Sequence, residues 1–211
     1  MSDHKRKQGN FLIALGLLLL AAALAHACYN VYLDRQAGAA SENALTQITE
    51  IVSAAQSDTE QQPPQPPQQP VESAPEPTMS AAMIDGQNYI GILSVPDANI
   101  LLPVISELDD AKLKLAPCRY AGSAGEKGFV IGGHNYKTHF RPLKTLGAGA
   151  EVIFTEMNGT EHRYTVEKIT TLQPDQVEDM LSDKWDLTLF TCTSGGKARL
   201  AVRCTANNSD H

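Results

Sequence analysis

The strongest constraint on the fold lies near the C-terminus, where two short strand patterns flank a glycine turn. Side-chain character alternates over Leu187–Thr191, and Leu200–Val202 forms a second strand pattern. Between them, Ser194-Gly195-Gly196-Lys197 has the composition of a tight turn. A hairpin that folds symmetrically about this turn places Cys192 opposite Arg199, with their Cβ atoms roughly 4.5–5.5 Å apart. The sequence therefore predicts a thiol and a guanidinium side by side at the open end of a hairpin.

A second segment supplies a proton acceptor for that thiol. The apolar run Phe129–Ile131 ends in two glycines, and His134 follows where the strand pattern stops. Histidine is the usual base for a cysteine nucleophile, and a fixed cation stabilises a developing oxyanion. The sequence thus predicts Cys192 as the nucleophile, His134 as the acid and base, and Arg199 as the oxyanion-binding group.

These motifs resemble the signatures of the sortase family of cysteine transpeptidases. TLFTC followed by Arg199 is similar to the TLxTC–Arg motif of sortases, and VIGGHN is similar to their strand-ending histidine motif. The resemblance runs from about Tyr89 to Cys204 and includes YIGILSVP and PLKTLGAGAEV. It implies that Cys192 carries the acyl thioester and that Thr191, which precedes it as in the family motif, helps to shape the site. The subclass of sortase is left open.

Other residues of the same types compete for these roles. His139 lies five residues after His134 and is expected to start a surface helix, and His162 precedes a strand without a supporting pattern. Arg203 shares a strand face with Arg199, but four strand residues rise by roughly 13 Å. Arg203 is therefore expected to lie too far along the hairpin to reach the thiol.

Composition and cysteine spacing exclude several classes of function. The net charge of −7 argues against a nucleic-acid-binding protein, which needs a basic excess. No CxxC or HxxxH pair occurs, so neither a metal nor a cofactor is predicted. Cys118 and Cys204 are interpreted as reduced core residues, although a disulfide between them is an alternative outside the cytosol.

The N-terminal region has the pattern of a membrane anchor. Lys5-Arg6-Lys7 precedes an uncharged apolar run from Phe11 to Cys28, close to the length of about 20 residues that spans a bilayer. The basic flank predicts a cytoplasmic tail over 1–10, a transmembrane anchor over 11–29 and an extracellular C-terminal domain. Two alternatives remain, cleavage of a signal peptide after Ala25-His26-Ala27 and lipidation of Cys28.

Residues 30–81 are predicted to form a largely disordered stalk, apart from a short helix within Asn43–Ala55. The segment Gln61–Pro77 is rich in Pro and Gln, a composition typical of extended linkers. The catalytic domain is then predicted over 82–211.

Within that domain many short strand patterns alternate with small helical insertions, which indicates a mainly β, closed or nearly closed barrel. The resemblance to sortases implies eight strands. Strands are predicted at Tyr89–Val95, Ile100–Ile105, Arg119–Ala121, Gly128–Gly133, Glu151–Glu156, His162–Thr171, Leu187–Cys192 and Ala198–Cys204. Helical pieces are predicted at Glu107–Leu113, His139–Leu146 and Pro174–Leu181, and the loop Gln173–Lys184 lies where sortases recognise their peptide motif.

The resemblance implies a membrane-anchored transpeptidase of a Gram-positive-type cell surface. Its partners would be secreted proteins with a C-terminal LPxTG-like sorting signal, and its acceptor an amine of a peptidoglycan precursor or of a protein lysine. Two alternatives stay open at this point, a cysteine peptidase that hydrolyses such motifs and a catalytically inactive binding module on a stalk.

Overall fold

The computed structural model describes residues 2–59, 79–193 and 195–207. Two helices and nine strands are present in these ranges, together with 3₁₀ turns at Pro96–Ala98, Lys112–Lys114 and Arg141–Thr145. The elements in chain order are α1 (Ser2–Thr59), β1 (Ala82–Ile84), β2 (Gln87–Val95), β3 (Ile100–Ile105), β4 (Cys118–Ala121), β5 (Phe129–Gly132), β6 (Glu151–Glu156), β7 (Glu161–Leu172), α2 (Val177–Met180), β8 (Leu187–Cys192) and β9 (Arg199–Ala206).

Eight of the strands close into a barrel. Their order is β2-β3-β4-β5-β8-β9-β7-β6, and pairing of β6 with β2 completes the ring. The β3–β4 and β5–β8 pairs are parallel, while the remaining pairs are antiparallel. The predicted eight-stranded, mainly β barrel is therefore confirmed.

A ninth strand, β1, was not predicted. It pairs with β2 through a two-residue turn at Asp85 and Gly86, both of which have positive φ angles (49° and 77°). An Asp-Gly pair is the preferred sequence for such a type I′ hairpin. The turn signal was present in the sequence, but the strand before it is only three residues long.

The β8–β9 hairpin has the predicted register. Cys192 pairs with Arg199, and Leu187 at the other end of β8 pairs with Cys204. On the other edge of β8, β5 runs parallel with Gly132 beside Phe190. All four residues of β5 are buried, as expected for a strand paired in parallel within a closed sheet.

The three helical pieces predicted within the domain are shorter than expected. The predicted helix over Glu107–Leu113 is replaced by the 3₁₀ turn Lys112–Lys114, because the Asp109 carboxylate accepts hydrogen bonds from the backbone N–H groups of Ala111 and Lys112 and forms a local turn. The other two are confined to Arg141–Thr145 and Val177–Met180.

The predicted stalk over 30–81 needs correction in its first half. Residues up to Thr59 continue α1, and the chain divides into two compact units, 1–36 and 37–211. Within the second unit, one face of α1 is buried, with the spacing expected of a helix stripe. This stripe consists of Ala37, Ser41, Ala44, Ile48 and Val52. Ala44, Ile48 and Val52 share a core cluster with barrel residues that include Tyr89, Ile105 and Cys118. The Gln61–Pro77 segment lies outside the described residues.

The first unit contains the apolar run of the predicted anchor. Leu17, Leu18, Leu19 and Leu20 are each more than half exposed, as are most of the other large apolar side chains of this run. In length and composition the helix is able to cross a membrane.

Candidate active site

A cavity of about 290 Å³ opens at the end of the barrel where β5 and β8 stop. His134, Cys192 and Arg199 all line it. The remaining lining residues are Leu108, Asp110, Leu113, Tyr120, Gly133, Gln173, Pro174, Gln176, Val177, Met180 and Phe190. The three residues predicted from two separate motifs of the sequence therefore face one common space.

Strand pairing explains why His134 and Cys192 lie near each other. Gly132 is beside Phe190 in the parallel β5–β8 pair, and the Gly133 N–H donates to the Phe190 carbonyl over 3.0 Å. His134 lies two residues after Gly132 and Cys192 two residues after Phe190, so both are at the same end of the barrel. A side chain at position 133 would overlap the Phe140 ring, because its Cβ would lie 2.6 Å from that ring.

His134 is partly buried and held by its own loop. Its ring packs against the Tyr136 ring with centroids 4.7 Å apart, and its carbonyl accepts a hydrogen bond from the Phe140 N–H. Burial lowers the pKa of His134, the Lys114 cation lowers that pKa further, and the Asp110 carboxylate opposes both effects. A lowered pKa favours the neutral imidazole at neutral pH, which is the form that can accept a proton.

The four cysteines occupy different environments, and Cys192 is the one that lines the cavity. Cys118 and Cys204 are fully buried free thiols, in agreement with their interpretation as reduced core residues. Burial raises the pKa of each of them to about 12, so neither forms a thiolate near neutral pH. Cys28 is exposed on α1.

The two arginines of β9 have different surroundings. Arg199 lines the cavity opposite Cys192, at the first position of the strand. Arg203 is buried and donates hydrogen bonds to the Asp179 carbonyl (2.7 Å), the Thr188 hydroxyl (2.9 Å) and the Met180 carbonyl (3.4 Å). Arg203 therefore links α2 to the barrel through hydrogen bonds.

Thr191 is buried, and its hydroxyl has no hydrogen-bond partner among the described residues. Successive residues of a strand point to opposite faces, and Cys192 faces the cavity. The Thr191 side chain is therefore directed away from the cavity, which leaves its backbone as the part that borders Cys192.

The competing histidines lie elsewhere. The expectation that His139 starts a surface helix is wrong, because His139 is fully buried in the turn before the 3₁₀ segment, with its Nε2 3.3 Å from the Ser41 hydroxyl. His139 is buried because α1 packs over this loop. The sequence did not indicate that packing. His162 lies in β7, with its Nε2 2.6 Å from a Glu156 carboxylate oxygen.

The β3–β4 connection was not identified from the sequence as part of the cavity wall, to which it contributes Leu108, Asp110 and Leu113. The β7–β8 connection contributes residues between Gln173 and Met180 from the loop expected to recognise peptide. Tyr120 and Phe190 add an edge-to-face aromatic pair with ring centroids 5.4 Å apart. Within residues 2–59, 79–193 and 195–207, no group of three or more His, Cys, Asp or Glu side chains is arranged to hold a metal ion.

Comparison with solved structures agrees with this architecture. The chain matches sortase A from Corynebacterium diphtheriae with 27% sequence identity and a TM-score of 0.53, over 59% of this chain and 63% of that one. The sortase D5 transpeptidase of Clostridium perfringens is similar in fold, with 17% identity and a TM-score of 0.60 over 81% of this chain and 99% of that chain.

Sequence comparison gives the same family. Sortase A of Streptococcus agalactiae serotype III (strain NEM316) is 30% identical over 120 residues, which cover 49% of this chain and 47% of that protein. Sortase A of Bacillus anthracis is 27% identical over 121 residues, covering 54% and 56%. The chain thus spans about half the length of these curated relatives. The family model described as "Sortase domain" matches residues 93–207, more than half of the chain, and the chain therefore belongs to the sortase family.

Proposed function

We propose that this chain is a membrane-anchored cysteine transpeptidase that cleaves an LPxTG-like sorting motif and transfers the new C-terminus to an amine. The observation that carries the proposal is the meeting of Cys192, His134 and Arg199 around one cavity. A thiol, an imidazole and a guanidinium supply the nucleophile, the proton carrier and the oxyanion-binding group that acyl transfer needs. The two sortase A relatives and the family match support this class of reaction.

In the first half of the reaction, His134 accepts the proton of the Cys192 thiol, and the sulfur attacks the carbonyl carbon of the motif's threonine. A C–S bond forms, and negative charge develops on the carbonyl oxygen, where Arg199 stabilises it. The tetrahedral intermediate collapses by breaking the C–N bond to glycine. The departing amine takes a proton from His134, and the acyl group remains on Cys192 as a thioester.

In the second half, an incoming amine attacks the thioester carbonyl. His134 accepts a proton from that amine, the C–S bond breaks as the new peptide bond forms, and His134 passes the proton to the sulfur, which restores the Cys192 thiol. Burial and Lys114 lower the pKa of His134, so it releases a proton readily and returns to the neutral form that accepts the next one. The acceptor is an amine of a peptidoglycan precursor or of a protein lysine.

The walls of the cavity are chemically suited to a short peptide. Apolar side chains from both connections, among them Leu108, Leu113, Val177 and Met180, offer contact to the leucine and proline of such a motif. Gln173 and Gln176 add hydrogen-bonding groups beside them. We therefore assign peptide recognition to the β3–β4 and β7–β8 connections together.

The proposal is tested by analysis of the reaction products. The full chain, in detergent micelles, is incubated with an LPxTG peptide, first alone and then with an excess of a primary amine such as triglycine. We expect mass spectrometry to show a ligated product that increases with amine concentration while the hydrolysed peptide decreases. Hydrolysis that is insensitive to amine would make the protein a cysteine peptidase. Absence of both cleavage and a Cys192 adduct would favour the inactive binding module.

We further propose that residues 11–29 anchor the protein in the membrane, with 1–10 in the cytoplasm and the catalytic domain, 82–211, outside. The support is the exposed apolar surface of α1 together with the basic residues that precede it in sequence. Protease added to intact protoplasts should remove the domain and leave a small membrane-bound N-terminal fragment. A mature chain that begins at Cys28 would show instead that the segment is cleaved or lipidated.

A further inference from the structure

Three contacts in series connect His134 to α1. The His134 ring packs on the Tyr136 ring, and the Tyr136 ring packs on the His139 ring with centroids 5.5 Å apart. The Nε2 atom of His139 lies 3.3 Å from the Ser41 hydroxyl oxygen. Ser41 and His139 are both buried, so this contact is shielded from water. A residue far from His134 in sequence is thereby joined to it through two ring contacts and one hydrogen bond.

The Ser41 hydroxyl makes a second hydrogen bond, to the β3–β4 connection. Its proton is donated to the Leu115 carbonyl over 2.7 Å. A serine hydroxyl has a single proton, so in the contact with His139 the serine oxygen accepts and the Nε2–H of His139 donates. The β3–β4 connection also carries Lys114 and Asp110, the two charges that act on the pKa of His134. Ser41 therefore holds together the two loops that flank His134.

The contact between Ser41 and His139 requires the backbone of α1 to lie close to the loop that carries His134. Gly38 lies one turn before Ser41, and a Cβ at that position would lie 2.9 Å from the Thr138 side chain. A larger residue at this position would require either α1 or the Thr138 side chain to shift. One and two turns further along, Ala44 and Ile48 are buried in the core cluster that includes Tyr89, which fixes this part of the helix against the barrel.

We propose that Ser41 and His139 are positioning residues, through which the 37–57 segment of α1 sets the orientation and water exposure of His134. The inference rests on the proposed function, because it assigns a role in the same reaction. Neither residue lines the cavity, so neither touches substrate. Both act by fixing Tyr136, against which the His134 ring is packed, and by fixing the β3–β4 connection.

The test compares matched substitutions in the full chain in detergent micelles. Ser41→Ala removes both hydrogen bonds, while Ser53→Ala makes the same change on the exposed face of the same helix. His139→Leu removes the donor from the other side of the contact, and His139→Gln keeps an N–H donor. The first readout is the titration of the His134 ring by NMR, assigned through loss of its signal in His134→Gln. The second is the separation of kcat from KM with an LPxTG peptide and a primary amine.

We expect Ser41→Ala and His139→Leu to move the titration of His134 upward, toward the ordinary value for histidine, because a loosened loop admits water to the ring. Lys114 and Asp110 act on the pKa of His134, Arg199 and Cys192 line the same cavity, and Tyr136 packs on its ring; all five are unchanged in these variants. In His139→Leu we expect kcat to fall by about two- to tenfold, the range for loss of a single hydrogen bond, with KM nearly unchanged. Ser41→Ala loses two hydrogen bonds, one of them to the β3–β4 connection, so its kcat should fall at least as far and its KM should rise. His139→Gln should restore most of kcat.

The inference would be overturned if the pKa of His134 in both Ser41→Ala and His139→Leu equalled its value in Ser53→Ala. It would also be overturned if that pKa shifted while kcat stayed unchanged. If Ser41→Ala fails to fold, His139→Leu and His139→Gln carry the same comparison. The titration requires no turnover. A wild-type chain without transpeptidase activity would therefore contradict the proposed function while the NMR comparison still decides this inference.

Discussion

Cys192→Ala is expected to remove acyl-enzyme formation and to lower turnover to background, a loss of roughly 10⁴-fold or more. Cys192 is the only cysteine among the described residues that line the cavity, and the thiols of Cys118 and Cys204 are buried in the core with pKa values raised to about 12. The fold should persist, because Cys192 is partly exposed at the end of β8 and the change removes one sulfur atom.

The measurement is intact-protein mass spectrometry after incubation of the full chain with a sorting-motif peptide. A mass increase equal to the acyl fragment should appear in the wild type and be absent from Cys192→Ala. Cys28→Ala is the matched control, because Cys28 is an exposed thiol on α1 that does not line the cavity. It should acylate like the wild type. An adduct mapped to Cys28, Cys118 or Cys204 would contradict the assignment of the nucleophile.

Strand periodicity and turn chemistry were sufficient to predict a mainly β, closed or nearly closed barrel and its β8–β9 hairpin, whereas the number of eight strands came from the family resemblance. Side chains on a strand repeat every two residues, and the two glycines at 195 and 196 mark the turn between β8 and β9. These local signals set the register that pairs Cys192 with Arg199. The relation of His134 to Cys192 followed from family motifs, and its geometry comes from a parallel pairing between β5 and β8 that no local pattern specifies.

The packing of α1 against the barrel could not be predicted in the same way. The buried stripe begins with Ala37, Ser41 and Ala44, small residues that carry a weak hydrophobic signal. Their small size is what allows the helix to approach the loop at Thr138 closely. The burial of His139 depends on that close approach, so it also could not be predicted from the sequence.

The cavity walls illustrate a further limit. Leu108, Tyr120 and Val177 come from three separate segments that meet because the barrel closes. Their roles depend on which loops project from the same end of the sheet. The end of α2 also depends on such contacts, since Arg203 donates to the carbonyls of Asp179 and Met180.

The two arginines of β9 give the sharpest test of the hairpin register. Arg199→Lys keeps the positive charge but loses the planar fork that holds an oxyanion or a carbonyl. Removal of one oxyanion donor costs on the order of 10²–10³ in turnover, and we expect a decrease of that size in kcat. Folding should be unaffected, because Arg199 is partly exposed at the rim of the cavity.

Arg203→Lys is the matched control on the same strand, four residues away. Its guanidinium holds the carbonyl of Asp179 and the hydroxyl of Thr188, and lysine cannot reach all of these acceptors together. We expect a lower melting temperature and a higher KM, because α2 forms part of the cavity wall, with a much smaller change in kcat than in Arg199→Lys. Steady-state kinetics on samples whose folding is verified by circular dichroism separates the two effects. Comparable losses of kcat in both variants would contradict the assigned roles, and an active Arg199→Ala beside an inactive, folded Arg203→Ala would transfer oxyanion stabilisation to Arg203.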